Sequence, residues 1–344
     1  MTNGKRIEYI DYLKGLTIIW VVWYHTPHPD IASLGFRMPL FFFVSGIFFK
    51  LDLPMVYLKK KLNQLVVPFL FFTLVYLVFH LALRYRFYGT LSMDDLRPLG
   101  DIFRPHTGNR GITINPPLWF ILALIDLQLV TWLLMWVFRR RRLLVAAAVI
   151  AIWWWDAFSY FFTPNYFMLG RALIYLPYFA FGNLFGRDFL GVVEGGGRRR
   201  FVPLLAVIAL DVVMYLLPQT LMPHFIEIHE MVNTFAIIVF LVYLFKAIYR
   251  VRLLRPLVYY GKNSYIVLGL HEILLTIFTF ALGFVADTRS PLTGGIVTIL
   301  VLLALWPLIH LLNRYLPRLS GKAPLFHFKE LSGKSCRDDE KKHE

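Results

Sequence analysis

Apolar residues in this chain come in ten long runs. They lie at roughly 7–25, 36–49, 64–83, 117–138, 143–162, 171–186, 202–217, 230–248, 263–285 and 294–312, separated by short polar or Pro/Gly-rich breaks. Few folds accept such a pattern. A helix crossing the hydrocarbon of a bilayer needs about 20 mostly apolar residues, and a backbone at that depth must satisfy its own hydrogen bonds. The runs at 36–49 and 171–186 are short, which a bundle interior or a locally thinned bilayer tolerates. Composition points the same way. Hydrophobic residues make up 58% of the chain and charged residues 17%, against roughly 45–50% and about 25% in soluble domains. The expected fold class is all-α, a polytopic transmembrane bundle of ten spans.

Charge fixes the expected orientation. Lysine and arginine gather on the side of the membrane that faces the cytoplasm. With the N-terminus inside, 27 of the 36 basic residues fall in inside segments and eight outside, and Lys14 lies within a span. Lys59 to Lys61, Arg139 to Arg142, Arg198 to Arg200 and the Arg250 to Lys262 stretch supply most of the inside count. Dropping one span would scramble this alternation, so both termini are expected to be cytoplasmic. The formal net charge of +15 is then a matter of topology and membrane lipid, and nucleic acid is not expected as a partner. Residues 1–319 read as the membrane domain and 320–344 as a charged, disordered cytoplasmic tail. Glu8, Asp11 and Lys14 within the first run argue against a cleaved signal segment. The one cysteine, Cys336, lies in the tail. That excludes a disulfide framework and a CxxC metal site.

Ionisable groups inside a span are costly and are functional candidates by default. The first run holds Asp11, Lys14 and His25. Asp11 and Lys14 are three residues apart and share a helix face. Lys14 and His25 are eleven apart, which returns to nearly the same face after a rise of roughly 16 Å. One stripe thus carries a cation toward the inner side and an imidazole toward the outer side, which suits two substrates arriving from opposite sides. The plainer alternatives are an Asp11–Lys14 pair near the interface and a helix-end histidine facing water. Ser45 and Gly46 lie late in the second run, either packing helices or lining a substrate path. Trp119 lies at a depth comparable to His25, as an interfacial aromatic or a site wall. His271 and Glu272 are adjacent and project about 100° apart, so both are not expected to face one site. Glu272 and Asp126 are the candidate carboxylate partners of a histidine. The cluster His224, Glu227, His229 and Glu230 lacks the HExxH spacing of a zinc site and reads as a solvated loop. No metal is expected.

Five segments, in this order, resemble the acyltransferase-3 family of membrane O-acyltransferases. They are Ile10-Asp11-Tyr12-Leu13-Lys14-Gly15 through Trp23-Tyr24-His25; Met38-Pro39-Leu40-Phe41-Phe42-Phe43-Val44-Ser45-Gly46; Lys59-Lys60-Lys61 with Val67-Pro68-Phe69, similar to a basic loop before the third span; Pro117-Leu118-Trp119-Phe120; and Gly261-Lys262-Asn263-Ser264 followed by His271. The nearest flavour resembles the sugar O-acetylases, of the fucose 4-O-acetylase kind. Many relatives carry Arg where this chain has Lys14, so a bidentate role is not expected there.

The resemblance implies transfer of an acyl group, here acetyl, from cytosolic acyl-CoA to a hydroxyl of an extracytoplasmic or lipid-linked glycan. It implies a multi-pass protein of the plasma (bacterial inner) membrane. His25 becomes the general base, a role suited to a side chain that titrates near neutrality. Asp11, Lys14, Lys60, Lys61 and Ser45 become donor-side residues, and Trp119 and His271 acceptor-side ones. The rival class is a transporter or flippase of a glycan or lipid, which would use buried charges but has no need of His25, Ser45 and Trp119 together.

Overall fold

The computed structural model describes residues 7–27, 35–50, 54–100, 102, 113–159, 167–217, 225–287 and 290–326, and these are all helix, turn and connecting coil. The helices are α1 (Glu8–Tyr24), α2 (Arg37–Phe48), α3 (Pro54–Lys61), α4 (Val67–Tyr88), α5 (Arg97–Gly100), α6 (Trp119–Val137), α7 (Arg142–Ser159), α8 (Leu169–Ile174), α9 (Leu176–Glu194), α10 (Val202–Leu216), α11 (Phe225–Ile248), α12 (Arg255–Lys262), α13 (Ser264–Leu282) and α14 (Pro291–Tyr315). Every one of the ten apolar runs contains a helix. Five helical stretches among the described residues are long and apolar enough to cross a membrane by length and composition: Met55–Tyr88, Pro116–Val137, Ile226–Ile248, Ser264–Leu282 and Pro291–Tyr315. The others fall short for visible reasons. α1 has 17 residues with Glu8, Asp11 and Lys14 among them, and α2 has only 12.

The basic triplet is a difference from the sequence reading. Lys59 to Lys61 end helix α3 rather than forming a loop, and the chain continues through a π-helical turn, Leu62–Val66, into α4. Neither glycine nor proline interrupts this stretch before Pro68, and Pro68 follows directly on the π turn, where the i→i−4 ladder is already shifted. π turns of this kind are found often at functional sites.

α1 is the central helix. It packs against α2, α11, α12, α13 and α14. Its contact with α12 is backbone to backbone. A Cβ at Gly15 would land on the Leu257 carbonyl, and one at Gly261 on the Asp11 carbonyl. The same device joins α2 to α9, where Gly46 faces the Phe179 carbonyl and Gly182 the Phe43 carbonyl. Asn183 secures that pair by donating to the carbonyls of Gly46 (3.2 Å) and Phe49 (3.0 Å). Peripheral helices turn large apolar side chains outward, among them Leu70, Leu74 and Val78 on α4 and Ile299 and Leu303 on α14. Continuous apolar exposure of this kind marks a surface meant for lipid or protein.

The first residues of the expected tail are docked. Asn63, in the π turn, accepts from the backbone N–H groups of Leu325 and Phe326, both at 2.9 Å, and donates to the Phe326 carbonyl at 3.1 Å. Residues 327–344, Cys336 included, lie outside the described residues.

Candidate active site

His25 caps the C-terminal end of α1, and its Nδ1 lies 2.8 Å from the Val21 carbonyl one turn back. His271 is fully buried in the middle of α13 and makes the same contact with the Val267 carbonyl, also at 2.8 Å. A carbonyl only accepts, so each neutral ring carries its proton on Nδ1 and keeps its lone pair on Nε2. The two rings meet edge to face with centroids 5.2 Å apart. The His271 Nε2 has no hydrogen-bond partner among the described residues.

Glu272 joins them, contrary to the angular argument made from sequence. One carboxylate oxygen of Glu272 and one ring nitrogen of each histidine all lie within 4.8 Å of one another. Adjacent Cα–Cβ bonds do diverge on a helix, but the long glutamate side chain spans the gap. Tyr76 of α4 stands within electrostatic reach of that carboxylate. Asp126, the other candidate carboxylate, is not in the cluster.

A cavity of about 140 Å³ lies below the histidines. Lys14, Ile18 and Val21 line it from α1, Met38, Phe41 and Ser45 from α2, and Ser264, Tyr265 and Leu268 from α13, with Leu65, Phe120, Ile121 and Leu124 completing the wall. Two helical stripes therefore run along it. One passes from Lys14 through Ile18 and Val21 to the turn that holds His25, the other from Ser264 through Leu268 to the turn that holds His271. Leu65 belongs to the π turn, and the Tyr265 hydroxyl donates to its carbonyl at 2.8 Å.

The donor-side residues separate. Lys14 and Ser45 line the cavity; Asp11, Lys60 and Lys61 do not. Asp11 is buried on α1 where that helix meets α12. Lys60 is exposed on α3, and Lys61 is half-buried, its Nζ 5.7 Å from the ring centroids of both Phe49 and Tyr57.

The acceptor-side residues separate too. His271 sits with His25, whereas Trp119 belongs to a second group. The Arg171 guanidinium carbon lies 3.9 Å from the Trp119 ring centroid, and the Trp119 and Tyr175 rings are 5.8 Å apart. The Arg37 guanidinium covers the Tyr24 ring at 3.7 Å, and Tyr24 packs against His25 at 5.5 Å. Arg37 stands within electrostatic reach of His25, and Tyr175 within reach of both arginines. Sequence reasoning missed Arg37, Arg171 and Tyr175. The available signal was that arginines in segments expected to face outside run against the expected charge bias.

His224 lies outside the described residues. Glu227, His229 and Glu230 of the same cluster lie on helix α11 rather than in the expected loop; His229 meets Asp211 at 3.4 Å, and Asn233 donates to that carboxylate at 3.2 Å. An apolar groove along α7, between Ala147, Ala151 and Trp154, has no titratable group in its lining.

A family model described as an acyltransferase domain matches residues 7–311. No curated protein and no solved structure matches the chain.

Proposed function

The chain belongs to the acyltransferase-3 family, and from that premise we propose that it moves an acetyl group from cytosolic acetyl-CoA to a hydroxyl of an extracytoplasmic or lipid-linked glycan. It is a membrane acyltransferase by family and by its apolar helices. The finer reading has ten spans, both termini in the cytoplasm, and the plasma membrane as its place.

One observation supports it above the rest: the cavity lined on α1 from Lys14 to Val21, the residue whose carbonyl meets the His25 ring. On this reading the coenzyme's phosphates stay at the Lys14 end, with Lys60 and Lys61 drawing the anion in from the cytoplasm and Asp11 setting the local charge. The narrow apolar middle takes the pantetheine arm. Ser45 sits beside that arm. The thioester then reaches the two histidines.

The chemistry follows from the tautomer. The Nε2 lone pair of His25 takes the acceptor hydroxyl proton as the oxygen attacks the thioester carbonyl. A C–O bond forms, the C–S bond breaks, and the departing thiolate collects the proton from the imidazolium. The Val21 carbonyl holds Nδ1–H throughout, and the Glu272 carboxylate offsets the passing positive charge. His271 packs against the base and fixes its edge. Trp119 forms part of the acceptor side.

The test is consumption of labelled acetyl-CoA by membranes containing the protein, with label recovered on glycan. Recovery of label that depends on His25 supports acyl transfer. Glycan or lipid movement with no acetyl-CoA consumed would favour a transporter.

A further inference from the structure

We propose that His25, His271 and Glu272 form a metal site of the zinc class, and that an ion bound there switches the protein off. The site stands on geometry alone; the inhibition rests on the acyl-transfer reading.

The three side chains turn lone pairs toward one another. Each histidine spends its Nδ1–H on a backbone carbonyl one turn back, Val21 for His25 and Val267 for His271, both at 2.8 Å. Each Nε2 is therefore left as an acceptor, and an ionised carboxylate is acceptor-only as well. The His271 Nε2 and one Glu272 carboxylate oxygen are buried with no hydrogen-bond partner among the described residues. Acceptors that converge in this way cannot satisfy one another, and buried polar atoms in folded proteins are normally satisfied. A cation satisfies all three at once.

The donor set selects the ion. Two imidazoles and one carboxylate, with a fourth position left for water, match the three-ligand pattern of an open zinc site. Imidazole nitrogen suits zinc, copper and nickel. Calcium and magnesium prefer six or more oxygen ligands, and the cluster offers a single carboxylate. The outer contacts fit too. A metal-binding histidine commonly donates its other N–H to a backbone carbonyl, and both rings already do. One ring nitrogen of each histidine and one Glu272 oxygen lie within 4.8 Å of one another. Bonds of about 2.0–2.2 Å set tetrahedral ligands roughly 3.3 Å apart, so each pair closes by at most about 1.5 Å. The glutamate torsions cover that distance. An ion has a way in, because His25 and Glu272 are half-buried rather than sealed. Arg37 stands within electrostatic reach of His25 and opposes a divalent ion, which keeps binding reversible. Bound metal occupies the His25 lone pair that the proposed chemistry needs for the hydroxyl proton. The ion is therefore an inhibitor and not a cofactor.

The test uses purified protein, stripped of metal with a chelator and returned to phosphatidylcholine vesicles. Cobalt(II) stands in for zinc, because a four-coordinate site gives it visible absorption bands. One equivalent should bind with those bands and be displaced by zinc. His25→Gln, His271→Gln and Glu272→Gln should each weaken cobalt binding by about tenfold or more. His229→Gln, on α11 beside Asp211, should leave it unchanged. Acetyl transfer is then read against buffered free zinc, as a ratio to the same protein without zinc, which cancels losses from poor folding of a variant. Wild type should lose transfer over the range in which zinc displaces cobalt, and regain it with chelator. His271→Gln and Glu272→Gln keep the base and should need about tenfold more zinc for the same inhibition. Cobalt bands absent from wild type, or unchanged in all three variants, overturn the site. Transfer that zinc leaves unchanged or stimulates, or inhibition equal in the variants, overturns the switch. No transfer under any condition, with the cobalt bands intact, would overturn the acyl-transfer reading and the inhibition with it, while the site would stand.

Discussion

Replacing Lys14 with alanine should raise the acetyl-CoA concentration for half-maximal transfer by about tenfold. Lys14 lines the end of the cavity opposite His25, half-buried, with its Nζ 5.8 Å from the Phe48 ring centroid. A hydrogen bond to a charged group contributes about 1.5–3 kcal/mol. Partial exposure screens the charge and puts Lys14 near the lower figure; 1.4 kcal/mol is a factor of ten. Lys60 is exposed on α3. Exposed pairs contribute about 0.2–1 kcal/mol, so Lys60→Ala should cost at most about fivefold. Lys61 should fall between them. The assay is initial rate against acetyl-CoA concentration in inside-out membrane vesicles, at two salt concentrations. Salt should weaken donor binding more in wild type than in Lys14→Ala, because a screened charge has less to lose. Unchanged donor affinity in Lys14→Ala, or a larger effect at Lys60, would refute the placement of the donor along the cavity.

Other outcomes follow from the same account. With Cys336 replaced, cysteines introduced at Gly108 or Pro223 should react with an impermeant reagent added to intact cells, and one at Gly196 should not; labelling at Gly196 would refute ten spans. His25, His271 and Glu272 stand close enough to ligate a metal, yet the proposed chemistry needs none, so a chelator should leave transfer unchanged, and a loss restored by zinc would contradict it. The Ser92 N–H and the Arg84 guanidinium, at 2.8 and 2.7 Å, hold the Asp95 carboxyl below the usual carboxylate range. Its contribution is complete above the unfolded pKa of about 3.9 and is lost as pH falls through the lower folded value. Proteolytic nicking after α4 should therefore stay slow down to about pH 4, while Asp95→Asn should be nicked at neutral pH; equal cleavage of both at neutral pH would show that the pair does not hold this segment.

The helices were legible because apolar runs announce themselves, and every run contains one. The Lys14-to-His25 stripe was legible for the same reason: helical periodicity within one segment needs no tertiary knowledge. Ser45 was named from a motif and does line the cavity. What sequence could not supply was the meeting of segments. Glu272 was named as one of two candidate carboxylate partners of a histidine, but the angle between adjacent side chains argued against its sharing a site with His271, although its length lets it reach both histidines. Arg37 and Arg171 are 134 residues apart in the chain, and only packing brings both to Tyr175. The basic triplet was read as a loop because charges usually end spans, but lysine is a good helix former and α3 continues through it. Asn63 likewise gave no local sign that residues 325 and 326 would return to it.

The central claim is that His25 is the base, and transfer by His25→Ala and His25→Gln tests it most directly. Both variants should insert, bind acetyl-CoA and keep the fold, while transfer falls by at least about a hundredfold. Glutamine should do no better than alanine, since an amide can hydrogen-bond but cannot take the proton. In wild type, transfer should also fall as acid protonates the histidine. Near-normal transfer by a well-folded His25→Ala protein, or substantial rescue by glutamine, would contradict the account.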